Sequence, residues 1–117
     1  MQQLEHEHQS ALFEWATLNQ GRWPELDMMY AIPNGGHRNI QTAARLKREG
    51  VKRGVLDINL DVPRFGFHGL RIELKVGRNK PTREQLQWIE RLTDHGYLAV
   101  VCWGWESARD QIEAYLR

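Results

Sequence analysis

Alternating polar and apolar residues in two neighbouring segments constrain the fold of this chain more than any other feature. Residues 55–62 read V-L-D-I-N-L-D-V, and residues 70–76 read L-R-I-E-L-K-V. Successive side chains of a β-strand point to opposite faces of the sheet, so each segment predicts a strand with one apolar and one polar face. Residues 63–69 suit the loop between them. The two segments are therefore predicted to form an antiparallel pair with one buried face.

The polar faces of these strands carry three residues suited to catalysis. If the pair is symmetric about Phe65, Asp57 lies opposite Glu73, because each is eight positions from that centre. Directly opposed side chains lie close together, and two carboxylates repel each other unless a proton or a cation separates them. Lys75 follows Glu73 on the same face. The set fits a hard ion such as Mg²⁺ in metal-assisted phosphodiester hydrolysis, with the lysine near the phosphate or the attacking water.

A simpler interpretation of the same alternation is an ordinary solvent-facing surface. Asp, Glu and Lys are common there, so the alternation by itself favours this interpretation. Asp57 argues against it, because aspartate is disfavoured within strands. Asp61 is a competing carboxylate on the same face, and its position near the end of the pair favours a turn-flanking surface role.

The rest of the chain predicts a mixed α/β sandwich with the element order αβαββαβα. Apolar segments at 28–32 and 97–103 predict the two remaining strands. The second helix is predicted to begin after Asn39 as N-cap and to end at Gly50, with Ile40, Ala43, Ala44 and Leu46 facing the core. A capping box of Thr82 and Gln85 begins the third helix. The predicted helices span residues 3–19, 39–50, 82–95 and 106–116.

Length and composition limit the class of protein. A chain of 117 residues is expected to form one domain over residues 1–117. Cys102 is the one cysteine, which excludes an intramolecular disulfide and predicts a core residue. No apolar stretch is long enough to cross a bilayer, and the polar, acidic N-terminus is unlike a signal peptide, so we expect an intracellular, cytoplasmic protein.

Basic residues are concentrated in residues 37–53, although the net charge of the chain is only +1. This asymmetry is typical of a basic face beside an acidic pocket, and contacts from such a face to a DNA backbone are independent of sequence. The glycine turn before this segment allows backbone N–H groups to approach a phosphate. A turn and a solvated helix face are the simpler interpretations. The candidate DNA contacts are Asn34, Gly35, Gly36, Arg38, Arg45, Lys47, Lys52 and Arg53.

An ordered set of motifs runs from Glu5 to the last helix. Asp57 followed by Glu73-Leu74-Lys75 resembles the signature of the PD-(D/E)xK nucleases, with Leu56 where the name of the signature has proline. The whole set resembles one branch of that superfamily, the virus-type replication-repair nuclease (VRR-NUC) domain. Its further motifs are Ile32-Pro33-Asn34-Gly35-Gly36, Ala44-Arg45-Leu46-Lys47, Gly50-Val51, Gly54-Val55-Leu56-Asp57, Gln85 and Gly96-Tyr97.

The resemblance implies a restriction-endonuclease-like fold, a mixed β-sheet flanked by helices, with Mg²⁺ or Mn²⁺ as cofactor. It implies that Asp57, Glu73 and the backbone carbonyl of Leu74 bind the metal, and that Lys75 is the catalytic lysine. It also implies that Gln85 supports the site from the third helix, whereas the simpler interpretation of Gln85 is a helix cap alone.

The resemblance further implies a metal-binding glutamate on the first helix, followed four residues later by a glutamine. Glu5 with Gln9 matches this spacing, and Glu7 is the alternative acid.

The function implied by the resemblance is cleavage of branched DNA. Free-standing members resemble Holliday-junction resolvases of DNA repair, which act as homodimers, and a twofold dimer presents two active sites to two strands. We therefore expect a metal-dependent endonuclease, which by the same analogy is phage- or prophage-encoded. The alternatives are a nuclease of flap or simple duplex DNA and a non-catalytic DNA-binding module on the same fold.

Overall fold

The computed structural model describes residues 2–33 and 39–117. Its elements follow the predicted order, with one additional short 3-10 helix at Pro24–Met28. The helices and strands are α1 (Gln2–Leu18), β1 (Met29–Ala31), α2 (Ile40–Arg48), β2 (Ile58–Leu60), β3 (Leu70–Lys75), α3 (Arg83–Asp94), β4 (Leu98–Trp103) and α4 (Trp105–Leu116). No described helix is both long and apolar enough to cross a membrane.

The four strands form one mixed sheet in the order β1-β2-β3-β4. β1, β2 and β3 are antiparallel neighbours, and β4 runs parallel to β3 after the α3 crossover. Ile58 pairs with Ile72 and Leu60 with Leu70. This ladder is centred on residue 65, so the predicted register is confirmed.

The apolar face of the sheet is covered by α1 and α4. Both helices place one apolar stripe against the strands, as amphipathic helices do. Cys102 lies in this core, as predicted. The fully buried core residues of the two helices and the central strands include Leu12, Ala16, Ile58, Leu60, Leu70, Ile72, Leu74, Ala108 and Ile112.

The opposite face of the sheet is also largely buried, which corrects the predicted single buried face. Glu73 is 2% exposed, and Asn59 and Lys75 are each 8% exposed. β3 is a central strand between β2 and β4, so neighbouring strands enclose its polar side chains on both sides. α3 adds cover, because its Gln85 contacts Glu73 directly. The acids and the lysine therefore lie in a partly dehydrated environment.

The second helix has the predicted cap but not the predicted packing. Asn39 Oδ1 accepts a hydrogen bond from the Thr42 N–H at 2.7 Å. Ile40, however, is 88% exposed, and α2 has no buried residue. The remaining predicted core positions are Ala43, Ala44 and Leu46, which line an open cleft beside the N-terminus of α3. Capping depends on local sequence, whereas burial requires a partner surface, and the sheet already has helices on both faces.

Candidate active site

Asp57 lies immediately before β2 and contacts β3 and the residue after β1 through different atoms. Its backbone carbonyl accepts a hydrogen bond from the Ile32 N–H at 2.7 Å. Its Oδ2 accepts one from the Leu74 N–H at 3.0 Å. The Asp57 carboxylate therefore accepts the Leu74 N–H in place of a main-chain carbonyl of the neighbouring strand. Since Ile58 pairs with Ile72, the next position along the register brings Asp57 beside Glu73.

Glu73 is the most deeply buried charged residue of the site. Its Oε2 accepts a hydrogen bond from Gln85 Nε2 at 2.9 Å and lies 3.5 Å from Lys75 Nζ. Within the described chain, its Oε1 is buried without a hydrogen-bond partner. Burial and the charge of Asp57 raise the pKa of Glu73 to about 8, despite the opposing effect of Lys75. An ionised carboxylate in this position needs a cation to compensate it.

The pKa of Asp57 is raised as well, mainly by burial. The Leu74 hydrogen bond, the neighbouring Glu73 carboxyl and the charge of Lys75 oppose this rise. The charge of Asp57 therefore destabilises the Glu73 anion, and either a proton or a cation between the two acids relieves the repulsion. The site has the electrostatics of an ion-binding pair.

The donor set fits a small divalent cation. Among the described residues, no group of three or more His, Cys, Asp or Glu side chains could hold a metal ion. Mg²⁺ nevertheless needs only one or two carboxylates, because it keeps several waters. The N–H of Leu74 points to Asp57. Because the N–H and C=O of one strand residue point to the same edge of the strand, the Leu74 carbonyl adds a main-chain oxygen on the Asp57 side. Glu73 Oε1 supplies an oxygen with no other partner.

A solved structure described as a "VRR_NUC domain protein" matches this fold and sequence. It is 34% identical, with a TM-score of 0.82, and the match covers 96% of this chain and 87% of that chain. The chain belongs to the VRR-NUC family. No protein-family model and no curated protein matches it. The family assignment confirms the predicted fold and makes this chain a nuclease-type domain.

Gln85 has both of the roles that the sequence of this VRR-NUC domain left open, namely helix capping and support of the acidic site. Its Oε1 accepts a hydrogen bond from the Thr82 N–H at 2.8 Å, and its own N–H donates to Thr82 Oγ1 at 3.2 Å. These two bonds form the predicted capping box. The amide nitrogen remains free to donate to Glu73. The cap therefore orients the amide, and the amide holds one oxygen of the buried carboxylate.

Glu5, rather than Glu7, faces the site. Glu5 Oε2 accepts a hydrogen bond from Asn79 Nδ2 at 3.1 Å, and its charge contributes to the raised pKa of Asp57. Glu7 is exposed, since residues two apart on a helix point in different directions. His8 is on the Glu5 side, where its Nδ1 accepts a hydrogen bond from the Trp105 N–H at 2.9 Å. That bond caps α4 and fastens α1 beside the site.

Asn79 is a contact that the sequence motifs did not indicate. Besides its bond to Glu5, its carbonyl accepts a hydrogen bond from Trp103 Nε1 at 2.7 Å. The loop after β3 is thereby attached to both α1 and the end of β4. Its only sequence signal was an asparagine in a glycine-containing loop, a pattern that also describes ordinary turns.

The predicted DNA contacts differ in their relation to the site. Asn34, Gly35, Gly36 and Arg38 lie outside the described residues. Arg45 is exposed and lies 3.7 Å from Glu49 on its own helix. The cleft beside the N-terminus of α3 has a volume of about 860 Å³, and its lining includes, besides apolar residues, Lys47, Lys52, Arg53, Glu84 and Gln85. Because Gln85 also contacts Glu73, this basic cleft adjoins the two acids.

The backbone of the cleft is held against α3. A Cβ atom on Gly54 would lie 2.5 Å from the Glu84 carbonyl carbon, so only glycine allows this approach. Trp88 Nε1 also donates to the Arg53 carbonyl at 2.8 Å. The loop that carries Lys52 and Arg53 is therefore fixed against α3, the helix that carries Gln85.

Proposed function

We propose that this VRR-NUC domain is a Mg²⁺- or Mn²⁺-dependent endonuclease that hydrolyses phosphodiester bonds in branched DNA, with four-way junctions as its main substrate. The observation that carries the proposal is the buried Glu73 carboxylate. One of its oxygens has no partner, and the carboxylate lies beside Asp57 and within 3.5 Å of Lys75 Nζ. Two acids and a lysine around a carboxylate oxygen that has no hydrogen-bond partner suit metal-assisted attack of water on a phosphodiester.

The acids and the Leu74 carbonyl would hold the ion. When bound, it lowers the pKa of a coordinated water and neutralises charge on the phosphate oxygens. Asp57 is oriented for this role by the Leu74 N–H, and Glu73 by Gln85. Each bond uses one oxygen of its carboxylate, and the second oxygen of Glu73, Oε1, has no hydrogen-bond partner among the described residues.

Lys75 would act on the phosphate or on the attacking water. Its side chain is 10% exposed, and its ammonium lies next to Glu73. A buried ammonium is strongly attracted to an incoming phosphate, because little water screens the two charges. Its backbone carbonyl accepts a hydrogen bond from the Gly104 N–H at 2.8 Å, which anchors the residue to the end of β4.

The basic cleft supports DNA as the substrate. Lys47, Lys52 and Arg53 line it, and lysine and arginine bind phosphates without regard to base sequence. The cleft adjoins the acids through Gln85, so a backbone bound there approaches Glu73. We expect its contribution to binding to weaken as salt concentration rises.

Resolution of a four-way junction requires two incisions, and we propose that a homodimer supplies them. Twofold symmetry gives two identical sites on opposite sides of the axis. Light scattering of the purified protein, free and with junction DNA, tests this proposal. A monomeric mass in both states would contradict it.

A cleavage panel tests the activity. Labelled four-way, flap, splayed and duplex DNAs are incubated with the protein and Mg²⁺, Mn²⁺ or EDTA. We expect metal-dependent cuts, strongest on the four-way junction. Preferred cutting of flaps or duplexes would support the proposed nuclease activity and contradict the four-way junction as the main substrate. Folded protein that binds every DNA and cuts none would instead indicate a non-catalytic binding module.

A further inference from the structure

Two buried side-chain oxygens of the described chain have no hydrogen-bond partner, and they lie on adjacent strands. One is Glu73 Oε1 and the other is Asn59 Oδ1. Asn59 is in the middle of β2 and is 8% exposed. It lies two residues after Asp57, so both side chains point to the same face of the sheet. A buried acceptor without a partner destabilises the folded protein.

The hydrogen-bond network around Tyr30 determines which end of the Asn59 amide is unpartnered. Tyr30 O–H donates to Asp61 Oδ2 at 3.0 Å, and an ionised carboxylate can only accept. The single phenolic proton is thus used, so the Tyr30 oxygen accepts the hydrogen bond at 3.2 Å from Asn59 Nδ2. The reverse amide orientation would place two acceptors together. Asn59 Oδ1 therefore faces away from Tyr30.

Arg71 is the cation nearest in the register, and it is already engaged. It pairs directly with Asn59 across the β2–β3 ladder. Its NH1 lies 2.8 Å from Asp61 Oδ1, and its guanidinium stacks 4.7 Å from the centre of the Tyr97 ring. The Arg71 guanidinium therefore contacts Asp61 and Tyr97, and it is not a hydrogen-bond partner of Asn59 Oδ1.

Glu73 is the diagonal neighbour of Asn59, two residues along β3 from Arg71. Such diagonal positions are about 7–8 Å apart, with the side-chain tips closer. A water molecule fits a gap of this size between two acceptors, because it has two protons to donate. Mg²⁺ and Mn²⁺ held by two carboxylates keep several such waters.

We propose that Asn59 is a positioning residue of the metal site. Its Oδ1 accepts a hydrogen bond from a water in the coordination shell of the ion held by Asp57 and Glu73. The proposal rests on the proposed function, since it requires that ion. The hydrogen bond from Asn59 Nδ2 to Tyr30 shows that the oxygen, rather than the nitrogen, is the end of the amide left for this water.

Asn59→Leu tests the proposal, because leucine has a similar volume and no acceptor. We measure Mn²⁺ affinity by calorimetry and thermal stability in EDTA. Loss of an outer-shell contact should weaken Mn²⁺ binding by about ten- to a hundredfold. In EDTA the variant should be at least as stable as the wild type, since the unpartnered acceptor is gone. If the leucine variant does not fold, Asn59→Ala is judged by its Mn²⁺ affinity in the same way.

Tyr30→Phe is the matched control, because it breaks the same network but keeps Asn59 Oδ1. It should bind Mn²⁺ within about threefold of the wild type, a far smaller change than the loss of an outer-shell partner. Equal Mn²⁺ affinity of wild type and Asn59→Leu would overturn the inference and leave the nuclease proposal intact. So would an equal loss in Asn59→Leu and Tyr30→Phe. Wild-type protein that binds no Mn²⁺ would overturn both proposals.

Discussion

Gln85 Nε2 donates to Glu73 Oε2 at 2.9 Å while Gln85 Oε1 accepts from the Thr82 N–H at 2.8 Å. One amide thus links the first turn of α3 to a carboxylate inside the sheet. The arrangement allows helix capping and site support to be separated by mutation, since Thr82→Ala removes Oγ1 from the cap but keeps the backbone N–H that orients the Gln85 amide.

Thr82→Ala should lower the free energy of unfolding by about 1 kcal/mol, the usual effect of losing an N-cap. Its cleavage rate at 25 °C should stay close to that of the wild type. Gln85→Ala should lower the cleavage rate by about ten- to a hundredfold, because the Glu73 carboxylate loses the donor that orients it. Denaturant unfolding and single-turnover cleavage measure the two effects. Equal activity losses in both variants would show that Gln85 acts only through the cap.

Lys75→Ala should lower the cleavage rate by at least about a hundredfold, as expected when a group that stabilises transition-state charge is removed. DNA affinity should change little, since the basic cleft is intact. Lys80→Ala is the matched control, because Lys80 is an exposed lysine of the loop that follows β3. Single-turnover rates and fluorescence anisotropy on the same junction give the comparison. A Lys75→Ala variant that cleaves at the wild-type rate would exclude the proposed role.

The metal-free protein should lose stability as the pH rises from about 5 to 8. The ordinary pKa of glutamate is 4.5, and that of Glu73 in the folded protein is about 8. Between these values the folded state binds more protons than the unfolded state, so the free energy of unfolding falls with rising pH. Thermal unfolding in EDTA at several pH values measures this slope.

Glu73→Gln should flatten that slope, because the amide does not titrate. Saturating Mn²⁺ should also flatten it in the wild type, since the ion replaces the proton between the two acids. Parallel pH profiles for wild type and Glu73→Gln in EDTA would contradict the raised pKa.

Glu5→Gln should weaken Mn²⁺-dependent cleavage, and Glu7→Gln should not. Glu5 accepts a hydrogen bond from Asn79 at the edge of the site, whereas Glu7 is exposed. The two substitutions remove the same charge from the same helix, so global electrostatics are matched. Titration of the cleavage rate with Mn²⁺ should show a higher half-saturating concentration for Glu5→Gln alone. The reverse pattern would make Glu7 the acid of the first helix.

Features that depend on local chemistry were predicted from the sequence. Alternation and the symmetry about Phe65 were sufficient for the β2–β3 register, because a shift by one residue would turn every apolar side chain away from the core. The caps at Asn39 and Thr82 were predicted for the same reason, since they depend on residues three apart.

The tertiary structure decided the environments of the functional groups. Whether Glu73 faced solvent or a dry interior depended on α3 and on the neighbouring strands, none of which its own segment encodes. Tertiary contacts likewise decided three other features. They left α2 exposed, placed Glu5 rather than Glu7 next to Asn79, and left the Asn59 oxygen without a hydrogen-bond partner. Periodicity specifies the face of the sheet to which a side chain points, but desolvation and charge coupling depend on every group that packs there. These interactions shift the carboxylate pKa values of this VRR-NUC domain.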